Sequence, residues 1–282
     1  MIRLTKPFGN TGKLVAAVGQ GSWKSDSDGE SDAIAALRLG MDLGLTHIDT
    51  AEMYGGGAAE SVIAKAIAGR RDEVFLVSKV LPSNASHRGT LNACEKSLKH
   101  LKTDHLDCYL LHWRGSHPLE ETVGAFEELK RDGKILSWGV SNFDVGDLQE
   151  LANAGAVPAC NQVLYHLKER AIEHAVIPWC QGHGIAVVAY TPFGQTLAIF
   201  DGAGGAAKTL ADVASRHGAT TRQVALAFLL RFPNTFVIPK ASGAAHVRDN
   251  AAAQNLKLSP DELAAIDAAF PLGRKPRTLP TI

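Results

Sequence analysis

Short runs of β-branched and apolar residues alternate with amphipathic stretches along most of this chain. The runs have the length of buried strands, and the stretches between them repeat apolar positions at helical spacing. Strands are predicted at 15–23, 46–50, 73–79, 106–113, 135–141, 159–163, 185–192 and 235–240. Helices are predicted at 31–44, 59–69, 90–101, 119–133, 145–155, 168–184, 206–218, 221–232, 244–254 and 259–270.

Three local signals add detail to this pattern. Two turn signals, Gly9-Asn10 and Gly12-Lys13, separate short strand-like pieces and predict a hairpin over residues 1–15. Pro178 lies inside the stretch 168–184 and predicts that this helix is kinked or split in two. The Ser-x-x-Glu sequence at Ser259 is a capping box, which predicts the start of the terminal helix.

The alternation predicts an α/β fold built from eight strand–helix units. Eight parallel units favour a closed (β/α)8 TIM barrel, which typically takes roughly 250 residues. We therefore expect one domain over 1–282, with an N-terminal β-hairpin at 1–15, an extra helix after strand 7, and a terminal helix and tail at 259–282. An open doubly wound sheet is the alternative, but no strand is followed by G-x-G-x-x-G and an acidic residue about 20 positions later.

Composition and charge exclude several classes of protein. Lys plus Arg is 29 and Asp plus Glu is 29, so the zero formal charge gives no basic surplus for nucleic acid. The longest apolar run, 224–230, is far shorter than the roughly 20 residues of a membrane span. The first ten residues lack the apolar core of a secretory signal, so we expect a cytoplasmic protein. The four cysteines form no CxxC pair, which predicts reduced thiols and no metal site.

Polar and aromatic residues stand where the predicted strands end. Because a barrel places its active site at the carboxyl ends of its strands, these side chains should share one rim. They are Asp49 with Tyr54 in the following loop, Lys79, His112-Trp113, Ser141-Asn142, Asn161-Gln162, Tyr190-Thr191 and Lys240. Taken singly, Asp49 could cap a helix and Lys79 could be a solvated strand end. Their coincidence at one rim favours an active site.

The residue types at this rim suit delivery of a proton to a carbonyl group. The phenol of Tyr54 has an ordinary pKa near 10, and an adjacent ammonium such as Lys79 should lower that pKa toward neutral. Asp49 would keep Lys79 charged, and a neutral His112 could donate a hydrogen bond to the carbonyl oxygen. No side chain supplies hydride, so a cofactor has to provide the electrons.

Seven segments resemble the aldo-keto reductase family in order and spacing, and the resemblance runs from the N-terminal hairpin to near residue 270. They are HIDTAEMY (47–54), LVSK (76–79), LLHW (110–113), GKILSWGVSNF (133–143), CNQVLYH (160–166), AYTPFG (189–194) and VIPKA (237–241). The DTAxxY element, followed by the Lys and the His-Trp pair, is highly specific. The sequence is most similar to the bacterial branch that reduces methylglyoxal and related small aldehydes.

The resemblance implies a catalytic tetrad of Asp49, Tyr54, Lys79 and His112, with NADPH as cofactor. Implied substrate contacts are Trp23, Tyr54, His112 and Trp113. Implied cofactor contacts are Gly21, Ser22, Trp23, Asp49, Ser141, Asn142, Gln162, Tyr190, Thr191, Pro192, Phe193, Gly194, Gln195, Ile238, Lys240, Ala241, Ser242, Gly243, His246 and Asn250. Among these, Tyr190 would stack on the nicotinamide, and the residues from Lys240 onward would bind the adenosine 2′-phosphate and adenine.

Two departures from the family pattern concern the choice of cofactor. Ala241 stands where the family usually has Ser or Thr, and His246 stands where it usually has Arg. Both family residues grip a 2′-phosphate, so NADH is possible beside NADPH. The tail after Phe270 is short, which implies an open pocket suited to small, varied carbonyl compounds. The resemblance also implies a monomer.

Two other functions fit parts of the pattern. A lysine at a barrel strand end could form a Schiff base, which would make the protein a lyase acting through Lys79. Asp49 opposes this reading, because it would hold Lys79 protonated. A non-catalytic or redox-sensing nucleotide-binding module is the other alternative, and loss of a tetrad residue would favour it. None of the four is lost, so a reductase of small aldehydes and reactive ketones is the leading hypothesis.

Overall fold

A computed structural model of the protein describes residues 4–25, 27, 29–195 and 204–282. The strands in this part of the chain are β1 Thr5–Pro7, β2 Leu14–Ala16, β3 Gln20–Gly21, β4 His47–Asp49, β5 Phe75–Val80, β6 Cys108–Leu111, β7 Trp138–Ser141, β8 Cys160–Leu164, β9 Ala186–Tyr190 and β10 Thr235–Val237. The α-helices are α1 Glu30–Asp42, α2 Ala58–Ala66, α3 His87–Leu101, α4 Leu119–Arg131, α5 Val145–Asn153, α6 Val176–Gly182, α7 Gly205–His217, α8 Thr221–Leu229, α9 Ala244–Ala252 and α10 Pro260–Ala269.

Strands β3 to β10 form one parallel sheet in sequential order. The two edges of this sheet meet, because Gly19 N donates to Val237 O at 2.8 Å and Val237 N donates to Ala17 O at 2.9 Å. A side chain at Gly21 would bring a Cβ to 2.8 Å from the carbonyl oxygen of Ile238, so this close approach requires glycine. The sheet is therefore closed, and the predicted (β/α)8 barrel is confirmed over the open sheet.

The N-terminal hairpin covers the end of the barrel where the strands begin. Strands β1 and β2 pair antiparallel, as predicted, although residues 1–3 of the predicted hairpin lie outside the described residues. Phe8 follows β1 and is fully buried, with its ring 4.7 Å from Phe75 and 5.1 Å from Phe236. Both partners lie at the start of barrel strands, so the hairpin closes this end and the opposite rim is left for a site.

The helices follow the predicted pattern, but the break in the predicted helix at 168–184 does not occur at the proline. Among the described residues, two α-helices, α7 and α8, lie between β9 and β10, as expected for an extra helix after the seventh barrel strand. The predicted helix at 168–184 is split, but at Ala175, where φ is −149°, and not at Pro178. Pro178 lies in the first turn of α6, where its missing N–H costs no helical hydrogen bond.

The first predicted strand, 15–23, is two elements in the structure. Residues Leu14–Ala16 form the second strand of the hairpin and pair with β1, whereas Gln20–Gly21 join the barrel beside β4. The apolar run is continuous because both pieces are buried, so its sequence does not reveal the change of partner. At the other end, Ser259 and Glu262 form the predicted capping box of α10. None of the helices described here combines the length and the hydrophobicity of a transmembrane span.

Candidate active site

An ion pair lies at the centre of the open rim. Asp49 ends β4, where the parallel register pairs it with Val77, and Lys79 lies two residues further along the adjacent strand β5. Lys79 Nζ donates to Asp49 Oδ1 at 2.6 Å and to the carbonyl oxygen of Thr50 at 2.8 Å. It also lies 3.3 Å from the hydroxyl of Tyr54. The ammonium therefore connects a carboxylate with a phenol, and the side chain of Lys79 is completely buried.

The glycine run after Tyr54 shapes the loop that presents its phenol. Tyr54 begins a short 3-10 turn, Tyr54–Gly57, which leads directly into α2. Gly55 and Gly56 adopt left-handed conformations, with φ of 59° and 62°, which side chains of L-residues seldom tolerate. The run thus gives the chain a tight reversal immediately after the tyrosine, and the phenol stays next to Lys79.

Burial dominates the acidity of Tyr54. It raises the pKa of the phenol above its ordinary value, and the opposing effect of the Lys79 ammonium only partly offsets it. The expectation of a net lowered pKa is therefore wrong for this structure. Burial alone would lower the pKa of Lys79, but Asp49 and Tyr54 raise it above its ordinary value. At neutral pH the site holds a protonated phenol next to a charged ammonium.

His112 follows β6 and faces Tyr54 across the rim. The two ring centroids are 5.8 Å apart in an edge-to-face arrangement. Burial, with a smaller effect of Lys79, lowers the pKa of His112 to about 3. The imidazole is therefore neutral at physiological pH, as the sequence predicted, and carries one N–H donor.

Hydrogen bonds connect residues at the ends of five strands, namely β4 and β6 to β9, behind this centre. Tyr190 donates from its hydroxyl to Asn142 Oδ1 at 2.8 Å, and Asn142 Nδ2 donates to the backbone oxygen of His112 at 3.2 Å. Gln162 Nε2 donates to Asp49 Oδ2 at 2.7 Å, so both carboxylate oxygens of Asp49 are engaged. Thr191 has φ of 52°, a strained conformation for a β-branched residue, and such strain is concentrated at functional sites.

A cavity of about 560 Å³ opens at this rim. The predicted site residues that line it are Gly21, Ser22, Trp23, Asp49, Tyr54, His112, Trp113, Ser141, Asn142, Gln162, Tyr190, Thr191, Pro192, Phe193, Gly194, Gln195, Ile238, Lys240, Ala241, Ser242 and His246. Three predicted residues are not part of this lining, namely Lys79, Gly243 and Asn250. Lys79 is completely buried and bonded to Asp49, and Asn250 is buried within α9.

Three residues that the sequence interpretation missed also line the cavity. Met53 directly precedes Tyr54, and Arg222 lies in the first turn of α8. The capping box of Thr220 and Gln223 marks the start of α8 and could have placed Arg222 near the rim. Ile282 also lines the cavity, so the tail reaches the site although it is short. The short tail therefore contributes to the wall of the cavity on this side.

Comparisons with known proteins agree with this geometry. The sequence profile described as "Aldo/keto reductase family" matches residues 17–270. A methylglyoxal reductase of Escherichia coli (strain K12) is 48% identical over 259 residues, which cover 90% of this chain and 91% of that protein. A glyoxal reductase of Bacillus subtilis (strain 168) is 32% identical, and the match covers 89% of this chain and 87% of that protein.

Solved structures with the same fold include two of aldo-keto reductases from Klebsiella pneumoniae. One, in complex with NADP and acetate, is 43% identical with a TM-score of 0.92, and the match covers 100% of both chains. The other, in complex with NADPH, is 44% identical with the same TM-score of 0.92 and the same 100% coverage of both chains. The similarity therefore extends over the whole barrel and the rim that carries the cavity.

Proposed function

Because this chain belongs to the aldo/keto reductase family, we propose that it reduces small aldehydes and reactive ketones of the methylglyoxal type to alcohols, with NADPH as cofactor. The observation that carries the proposal is the Asp49–Lys79–Tyr54 contact chain beside a neutral His112 at the wall of one cavity. The similarity to a methylglyoxal reductase and a glyoxal reductase supports the substrate class.

The lining of the cavity fits a nicotinamide dinucleotide phosphate. Its volume of about 560 Å³ lies in the range of cofactor pockets. Tyr190 offers an aromatic face for a flat ring, and Ser141, Asn142 and Gln162 offer amide and hydroxyl groups for a carboxamide. Lys240 and Ser242 offer a cation and a hydroxyl for phosphate. When bound, the reduced nicotinamide supplies a hydride to the carbonyl carbon.

The side chains at the rim supply the proton and orient the substrate. Tyr54 gives the proton of its hydroxyl to the carbonyl oxygen, and its raised pKa keeps that proton in place at neutral pH. Lys79 stabilises the phenolate that remains, and Asp49 holds the ammonium in position. His112 is neutral and can donate its N–H to the carbonyl oxygen, which holds that oxygen near Tyr54.

The entrance to this centre is apolar and partly open to solvent. Trp23, Met53 and Trp113 line the cavity, and each is exposed by about two-fifths or more of its surface. Such walls accept small apolar parts of a substrate without demanding a particular hydrogen-bond pattern. The site should therefore accept several small carbonyl compounds.

The two alternative functions lose support from the geometry. Lys79 is completely buried, lies outside the lining and has a raised pKa, and all three properties oppose attack on a substrate carbonyl. A module that only binds nucleotides needs no Tyr54–Lys79–Asp49 chain, yet this chain is complete.

The proposal is tested by mixing the purified protein with NADPH and a panel of methylglyoxal, glyoxal and simple aldehydes. We expect loss of reduced-nicotinamide absorbance together with formation of the matching alcohol. Borohydride treatment in the presence of substrate should leave the protein mass unchanged. Absence of turnover across the panel, with NADPH bound, would favour the binding module, and a trapped adduct on Lys79 would favour the lyase.

A further inference from the structure

Arg222 is a cavity-lining cation for which the chemistry of the rim has no role. It lies in the first turn of α8 and shares the lining with Lys240, Ser242 and His246. Its guanidinium carbon lies 5.5 Å from the centre of the Phe193 ring. Its Nη1 lies 3.5 Å from Nδ1 of His246, which belongs to the first turn of α9. Two helices thus bring an arginine and a histidine to one part of the cavity wall.

Hydrogen bonds between α8 and α9 fix the backbone position of Arg222. Thr220 caps α8 and accepts a hydrogen bond from Gln223 N at 3.1 Å. Asp249 of α9 then accepts from both capping residues, with its Oδ1 2.9 Å from Thr220 Oγ1 and 2.7 Å from Gln223 Nε2. The start of α8 is therefore fastened to α9, and Arg222 stays beside His246.

The charges of the lining favour an anionic ligand in this part of the cavity. Among the side chains of the described lining residues, Asp49 carries the sole carboxylate, and Lys79 and Gln162 already bind it. Lys240 and Arg222 are cations of the same lining. Burial lowers the pKa of Lys240, and the nearby charge of Lys24 lowers it further, so a third cation lies close by. An anion bound in this part of the cavity would be attracted by each of these cations.

We propose that Arg222 binds the 2′-phosphate of NADPH and thereby sets the preference for NADPH over NADH. The proposal rests on the proposed function. A guanidinium carries a permanent charge and a planar pair of N–H donors that match two phosphate oxygens, whereas a neutral imidazole offers a single donor. Arg222 on α8 would thus do what an arginine at position 246 on α9 would otherwise do. The 2′-phosphate is the group that distinguishes the two cofactors, so this contact acts on selectivity directly.

A second role for Arg222 makes a different prediction. Its guanidinium lies over the Phe193 ring and could instead stack on a flat base such as adenine. Adenine is common to NADPH and NADH, so stacking would strengthen the binding of both cofactors equally. Pairing with the phosphate would strengthen the binding of NADPH alone.

The test compares dissociation constants measured by calorimetry for NADPH, NADH, 2′,5′-ADP and 5′-ADP. The proteins are the wild type, Arg222→Met, Arg222→Lys and the control Arg248→Met. Arg248 is exposed on α9 and lies outside the lining, so its substitution should change none of the four constants. Arg222→Met should weaken NADPH and 2′,5′-ADP by about tenfold to a hundredfold, the range of charged hydrogen bonds, and leave NADH and 5′-ADP unchanged.

Arg222→Lys keeps the charge but loses the planar fork, so its loss of NADPH affinity should lie between the wild type and Arg222→Met. Circular dichroism and the melting temperature check that each variant is folded. If Arg222→Met does not fold, the comparison of Arg222→Lys with the wild type still tests the proposal. Equal losses for NADPH and NADH, or no loss for either, would overturn the assignment of Arg222. A wild type that binds neither cofactor would instead refute the proposed function.

Discussion

At the scale of single residues, the ammonium of Lys79 sets the electrostatics of the site. Replacing it by methionine should leave the buried Asp49 carboxylate without its counter-charge, which typically costs about 3–5 kcal/mol of stability. Turnover should fall strongly. Lys79 is the group that lowers the pKa of Tyr54, so the alkaline limb of the pH–rate profile should move to higher pH in any remaining activity.

The check is the pH dependence of kcat and kcat/KM for wild type and Lys79→Met, with Lys65→Met as the matched control. Lys65 forms an exposed ion pair on α2, so its loss should leave both profiles unchanged. If Lys79→Met raised only KM and kept the shape of the profile, Lys79 would be a binding residue and not the partner of Tyr54.

The aromatic ring of Tyr190 should contribute to the binding of the cofactor. Replacement by alanine removes the aromatic face and should weaken the binding of NADPH and NADH alike by about 1 kcal/mol or more. Replacement by phenylalanine keeps the ring and removes only the hydroxyl bond to Asn142, so most of the affinity should remain. Titration of both variants with both cofactors checks this, and unchanged affinity in Tyr190→Ala would exclude stacking.

The residues at the rim were predictable because parallel strands end at one level, so a polar residue after each buried run has a known location. The order Asp49, Tyr54, Lys79 and His112 could be read in this way. The net pKa of Tyr54 could not, because it depends on how deeply the phenol is buried, which no motif records. The capping box of Thr220 and Gln223 marks the start of α8, but the approach of Arg222 to His246 depends on the contact between α8 and α9, which no local signal records.

At the scale of elements, β4 carries Asp49 at the rim and His47 at the closed base of the barrel. The ring of His47 is buried next to Phe8, Phe75 and Phe236, and neither ring nitrogen has a hydrogen-bond partner among the described residues. Burial, with a smaller effect of Lys79, lowers the pKa of His47 to about 3. The folded protein therefore holds this imidazole neutral far below its ordinary pKa.

The lowered pKa of His47 makes the folded protein less stable at acidic pH. Below a pH of about 6.5 the unfolded chain takes up a proton at His47 that the folded chain refuses, so the free energy of unfolding falls as the pH decreases toward 3. His47→Phe should remove this contribution and reduce the stability difference between pH 8 and pH 5 by about 2 kcal/mol. Urea unfolding of both proteins at the two pH values measures the difference, and an unchanged difference would contradict the prediction.

Some ends of helices and strands can be predicted from the local sequence, whereas others depend on tertiary packing. Capping boxes fixed the starts of α8 and α10 through hydrogen bonds within one turn, which a sequence records directly. The division of 15–23 between the hairpin and the barrel depends on which strand lies alongside, and the break at Ala175 depends on the fold around it. Such partners are set by the tertiary structure and not by periodicity.

At the scale of the whole molecule, the Tyr54–Lys79–Asp49 chain lies within one subunit. The resemblance of the sequence to the family implies a monomer, so we expect a specific activity that is independent of protein concentration. Light scattering at several concentrations, with activity measured on the same samples, checks this. A stable dimer that loses activity on dilution would show that assembly completes the site.

The central claim is that the cofactor and Tyr54 act on one carbonyl group: the bound nicotinamide would supply a hydride to the carbonyl carbon, and Tyr54 would give a proton to the adjacent oxygen. The most direct test is Tyr54→Phe, with turnover of NADPH and methylglyoxal and the dissociation constant of NADPH measured on the same preparation. We predict that kcat falls by about 10²–10⁴, the contribution of a positioned acid, while the NADPH dissociation constant stays the same. A variant that keeps more than about half of the wild-type turnover would contradict the account, because such a rate excludes Tyr54 as the proton donor.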